Sequence, residues 1–111
     1  MAQVAFALPI VPGKEGLDRQ TFDELEGIRR DEYEQALRDS GIRRHAIWHQ
    51  HTPDGTVAVV YIEAEDESGV AKFGSAAEPL NEWFREQMKE VHGIDIGEAK
   101  LEIEKIHDHR L

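Results

Sequence analysis

The stretch Arg43–Asp66, RRHAIWHQHTPDGTVAVVYIEAED, constrains this chain more than any other. Two alternating apolar runs flank Thr52-Pro53-Asp54-Gly55. Proline presets φ at the first central position of a turn, aspartate tolerates the second, and glycine accepts the left-handed conformation that closes a type I turn with a bulge. The stretch therefore reads as a β-hairpin. Placing Thr52 opposite Thr56 sets His49 against Val59, Ile47 against Tyr61 and His45 against Glu63. Side chains alternate along a strand. One face then carries His45, Ile47, His49, His51, Val57, Val59, Tyr61 and Glu63, and the other carries Ala46, Trp48, Gln50, Ala58, Val60, Ile62 and Ala64. Both faces are substantially apolar, whereas a sheet with one wet face shows polar residues on that side. Two apolar faces need two covers. A chain this short supplies helices for one, so the second cover expected is another subunit.

The flanking segments fit around the hairpin. Gln3–Leu8 alternates Val4, Phe6 and Leu8 with Ala5 and Ala7, the pattern of a first strand. Two prolines and two glycines make Pro9–Gly16 a loop. A helix follows, with Asp18 as N-cap and Gly41 ending it after Ser40. Phe22, Leu25, Tyr33, Ala36 and Leu37 form its apolar stripe. After the hairpin, Glu65-Asp66-Glu67-Ser68 leads a short helix containing Val70, Ala71 and Phe73, which Gly74-Ser75 interrupts. Pro79 opens another helix whose stripe is Leu80, Trp83, Phe84, Met88 and Val91, with Gly93 as its stop. Lys100–Ile106 alternates as a last strand would. The order is β-α-β-β-α-β with the second α split in two, a ferredoxin-like α+β fold with an antiparallel sheet, in one domain spanning 1–111.

Composition narrows the function. At 111 residues there is room for one modest core. The absence of cysteine removes disulfides and thiolate metal sites. A formal net charge of −10 argues against nucleic acid, whose phosphates call for a basic patch. No apolar run approaches the ~20 residues of a membrane span. No basic leader precedes the apolar start, so the expected location is cytoplasmic.

The element order, the two apolar sheet faces and the chain length together resemble the dimeric α+β barrel superfamily, in which two ferredoxin-like subunits pack sheet against sheet. Within it the chain is similar to the L-rhamnose mutarotase type and to small uncharacterised members. The stretches that carry the likeness are Ala36-Leu37-Arg38-Asp39-Ser40-Gly41, Ala46-Ile47-Trp48, Val60-Tyr61-Ile62-Glu63-Ala64-Glu65-Asp66, Trp83-Phe84 with Met88, and the early Pro12-Gly13-Lys14. The resemblance implies a homodimer and a pocket between helices and sheet. Where the mutarotases place a tyrosine and a histidine on the first helix, this chain has Phe22 and Glu26. Phe22 brings no hydroxyl and Glu26 no imidazole, so the resemblance carries the pocket's location rather than sugar chemistry.

Two constellations bear chemistry. On a continuous first helix, Arg29 falls near mid-stripe with Glu26 on its flank, and Gln87 falls mid-stripe on the last helix. Polar groups so placed pair with each other or line a cavity. One reading makes Arg29, Glu26 and Gln87 polar walls of an aromatic pocket with Tyr33, Trp48, Tyr61 and Trp83, where Arg29 would favour a carboxylate or enolate. The other is an internal Arg29–Glu26 pair. The second constellation is His45-x-x-x-His49-x-His51, with Glu63 opposite His45. These groups would suit a borderline metal, or stand as solvated or interface histidines. A His49 turned into the pocket would be the best general base of the chain. His92, in the last turn of its helix, complements the helix C-terminus. The tail histidines His107 and His109 read as a metal pair or, more simply, as part of a mobile tail.

The expectation is a small dimeric α+β barrel that binds a small polar or aromatic molecule. A cofactor-independent isomerase, mutarotase or monooxygenase-like activity would fit, with His49 and Glu26 as acid and base and Arg29 stabilising an anion. The alternatives are a non-catalytic ligand-binding or stress-related dimer, and a metal-binding dimer using the strand histidines.

Overall fold

The computed structural model describes residues 1–111. The chain runs β1 (Ala2–Pro9), α1 (Glu15–Glu26), α2 (Arg30–Asp39), β2 (Ile42–Thr52), β3 (Gly55–Ala64), α3 (Gly69–Ser75) and α4 (Pro79–His92). The three strands form one antiparallel sheet in the order β1-β3-β2. This α+β arrangement is compatible with a ferredoxin-like layout.

The hairpin forms where expected, but its register differs by one residue. Thr52 pairs with Gly55, not Thr56, and the frame continues as His49 to Ala58, Ile47 to Val60 and His45 to Ile62. Thr52 explains the tighter loop: its Oγ1 donates to the Gly55 carbonyl at 2.7 Å and accepts from the Asp54 amide at 3.2 Å. Gly55 takes φ +131°, a conformation that side chains disfavour. A slip of one residue exchanges the faces of the partner strand. His45, Ile47 and His49 therefore share a face with Ala58, Val60 and Ile62. Trp48 shares the opposite face with Val59 and Tyr61.

The helices cover only the first of these faces. Ala58, Val60, Ile62 and Ala64 are buried against Leu25, Tyr33, Phe73, Phe84, Met88 and Val91. Leu25 and Val91 are fully buried, each contributing about 1.5–3 kcal/mol relative to an exposed side chain. The outer face stays open, and Trp48 is 53% exposed there.

Two elements differ from expectation. The first helix is not continuous. α1 stops at Glu26, Gly27 turns away at φ −112° and ψ −106°, and α2 restarts at Arg30. Asp18 is no N-cap but sits inside α1, fully buried. The second correction concerns Lys100–Ile106, which forms no strand. Its alternation fails where Lys105 follows Glu104, and Leu101 and Ile103 instead turn toward the body of the protein at the rim of a cavity. Lys105 Nζ donates to Gln3 Oε1 at 3.0 Å, so this tail lies beside β1 without pairing to it. The expected stops hold. Gly41 and Gly93 both take φ +70°, ending α2 and α4.

Candidate functional site

A mostly apolar cavity of about 680 Å³ lies between the helices and the sheet. Phe6, Ile47 and Val60 form its floor, while Phe22, Phe73, Phe84 and Met88 form its roof. Three polar side chains stand within this wall, Asp18, His45 and His92, while the exposed Gln3, Glu67, Lys100 and Lys105 edge its mouth.

His45 occupies an aromatic cage. The rings of Phe22, Phe73 and Phe84 meet it edge-on at centroid distances of 5.9, 6.0 and 6.3 Å. Its Nδ1 lies 2.8 Å from the Tyr33 hydroxyl. Burial disfavours the charged imidazole and lowers its pKa to about 4. Burial also raises the Tyr33 phenol, and the Glu26 carboxylate adds to the rise. Both groups are therefore neutral near pH 7. The Tyr33 hydroxyl has no other hydrogen-bond partner, so it donates to Nδ1 and the proton of His45 resides on Nε2. That N–H has no partner within the chain.

Asp18 and His49 form the second polar unit. His49 Nε2 donates to Asp18 Oδ2 across 2.6 Å, with both side chains almost wholly buried. Asp18 sits one turn into α1, where the helix N-terminus favours a carboxylate. Its other oxygen, Oδ1, is buried without a hydrogen-bond partner. Such an atom carries a desolvation cost until a donor reaches it. Chemically, a carboxylate that orients an imidazole is the arrangement of a general base and its orienting group. His92 is already engaged, its Nδ1–H donating to the Pro9 carbonyl at 2.9 Å.

The residues singled out from the sequence divide between several places. His49 reaches the helix-facing side through Asp18. Tyr33 is buried behind His45. Arg29 is not mid-stripe, because the break at Gly27 resets the helical phase. It lies 4.1 Å over the Trp83 ring and pairs with Glu24 at 3.3 Å rather than with Glu26. Glu26 is exposed and Gln87 is half-buried outside the cavity wall. Trp48 and Tyr61 lie on the outer sheet face. There the Tyr61 hydroxyl donates to Glu63 at 2.8 Å, which separates Glu63 from the strand histidines. His51 bonds Thr56 Oγ1 at 3.2 Å. No group of three histidine or carboxylate side chains stands close enough to hold a metal ion.

Sequence reasoning missed Asp18 as a wall residue. Asp18, Phe22 and Leu25 recur at helical spacing on one stripe, and an acid on an apolar stripe is the signal that assigning it as a cap conceals. Comparison with protein-family models, with curated proteins and with solved structures finds no match to this chain.

Proposed function

We propose that this protein binds a small, largely apolar ring compound between its helices and its sheet, and that Asp18, held in place by His49, is the acid–base group that meets it. The observation that carries this reading is the cavity itself: behind a mouth edged by the exposed Gln3, Glu67, Lys100 and Lys105, its wall is mostly apolar and holds neutral His45 and Asp18 with its unmatched oxygen. Pockets of this kind combine an apolar wall with a few convergent polar groups. Proton transfer by a positioned carboxylate needs no cofactor and suits an isomerase or mutarotase-like reaction. Glu26 and Arg29, outside the cavity, take no part in this reading.

The test is an amide-resolved NMR titration with neutral aromatic compounds such as indole and 2-naphthol. Saturable shifts at His45, Val60 and Phe84 are expected. Ala58→Trp, which fills the floor, should abolish them. Absence of shifts at these residues up to the solubility limit would sink the proposal.

A second reading concerns the open sheet face. Trp48, with Ala46, Ala7, Val59 and Pro9 around it, is too apolar for a face meant for water. We propose that a second copy covers it sheet to sheet, as in a dimeric α+β barrel. Sedimentation velocity should find a dimer, converted to monomer by Trp48→Glu. A monomeric parent at high micromolar concentration would rule this out.

A further inference from the structure

We infer that the ligand carries a hydrogen-bond acceptor at one end of a ring-sized apolar body and a neutral hydroxyl donor at the other, the chemistry of a para-hydroxyaryl ketone; this rests on the cavity being a binding site.

Inside the exposed mouth residues, two polar groups of the wall are incompletely matched, and they are opposite in kind. At His45, Tyr33 occupies Nδ1, so the imidazole offers Nε2–H and can only donate. At Asp18, His49 occupies Oδ2, so the carboxylate offers Oδ1 and can only accept. They stand at separate ends. His45 and His49 lie four residues apart on β2, about 13 Å between Cα atoms, and Asp18 is tied to His49. Between them the wall is apolar, formed by Phe22, Ile47, Val60 and Phe84. A wholly apolar ligand would leave Oδ1 without a donor. An ammonium would have to shed its hydration in an apolar cavity to meet a carboxylate already bonded to an imidazole. A hydroxyl meets Oδ1 at far smaller desolvation cost, and a carbonyl meets Nε2–H in the same way.

Three compounds of one shape separate the terms by calorimetric and NMR titration. 4-Hydroxyacetophenone has both groups, 4-methoxyacetophenone lacks the donor, and 4-ethylphenol lacks the acceptor. The first should bind at least about tenfold more tightly than 4-methoxyacetophenone, the factor expected for a buried hydrogen bond to a charged group, and at least about threefold more tightly than 4-ethylphenol, which loses only a bond to neutral His45. Asp18→Leu should erase the preference for the hydroxyl over the methyl ether. His45→Phe should reduce 4-hydroxyacetophenone to the level of 4-ethylphenol. The wild-type series decides the matter even where a variant does not fold. Equal affinity for all three compounds, with shifts at cavity residues, would overturn this ligand class and leave the cavity a binding site. No shift at cavity residues with any of them would overturn both.

Discussion

His45 is surrounded by three phenylalanine rings and the Tyr33 hydroxyl, and no carboxylate touches it. A proton on it would be buried without a counter-charge. Its pKa falls from an ordinary 6.5 to about 4 in the folded chain. As pH drops, the unfolded chain takes up this proton first. The stability this group lends is thus complete above pH 6.5 and is lost as pH falls from 6.5 to 4. The loss is on the order of 3 kcal/mol. His45→Phe keeps a ring in the cage and removes the proton. Its urea-unfolding free energy, followed by tryptophan fluorescence in dilute solution, should fall less between pH 7 and pH 4.5 than that of the parent. Parallel pH dependences would contradict this account. His45 and Asp18 also show where residue-level reading stops. Each residue type was visible, but His45's tautomer comes from Tyr33, and Asp18's unmatched oxygen comes from packing. Neither is written in local spacing.

Among the elements, the hairpin was legible as a hairpin because its turn chemistry is local, yet its frame was not. The Thr52 hydroxyl bonds that shorten the loop compete closely with a looser turn, and the difference of one residue decides which side chains meet the helices. α3, α4 and their stops at Ser75 and Gly93 could be read directly, since Pro79 and Gly93 act through their own backbone preferences. The break between α1 and α2 was hidden, because one glycine in a periodic stripe is usually tolerated. Glycines also supply a paired prediction. A methyl group added at Gly69 would meet the Ser40 carbonyl at 2.8 Å and the Ala64 Cβ at 2.9 Å. Gly69→Ala should therefore destabilise by about 1–3 kcal/mol as α3 is pushed off the β2–β3 end. Gly16, in α1, has nothing within 4 Å of such a methyl. Gly16→Ala should stabilise by about 0.5–1 kcal/mol through helix propensity and a less flexible unfolded chain. Thermal and urea melts of the two variants should move in opposite directions. Movement of both the same way would show that α3 does not sit this close to β3.

Across the whole molecule, two apolar sheet faces call for two covers. One is met by four helices over a cavity, and the other remains open around Trp48. The strand expected at Lys100–Ile106 would have bordered β1, and without it the outer edge of β1 pairs with no strand. Its amides and carbonyls offer a template to any extended chain that approaches. β1 itself carries few of the usual deterrents, as Ala2, Ala5 and Ala7 hold no charge. Long-range repulsion from a net charge of −10 opposes edge-to-edge contact between copies. That repulsion fades near the sequence pI of 5.0. Light scattering should accordingly rise as pH falls from 8 toward 5, and Ala5→Lys should blunt the rise. A scattering signal flat across this range would mean that the edge is shielded. In colloidal terms, the β1 edge is an adhesive seam guarded by charge rather than by shape.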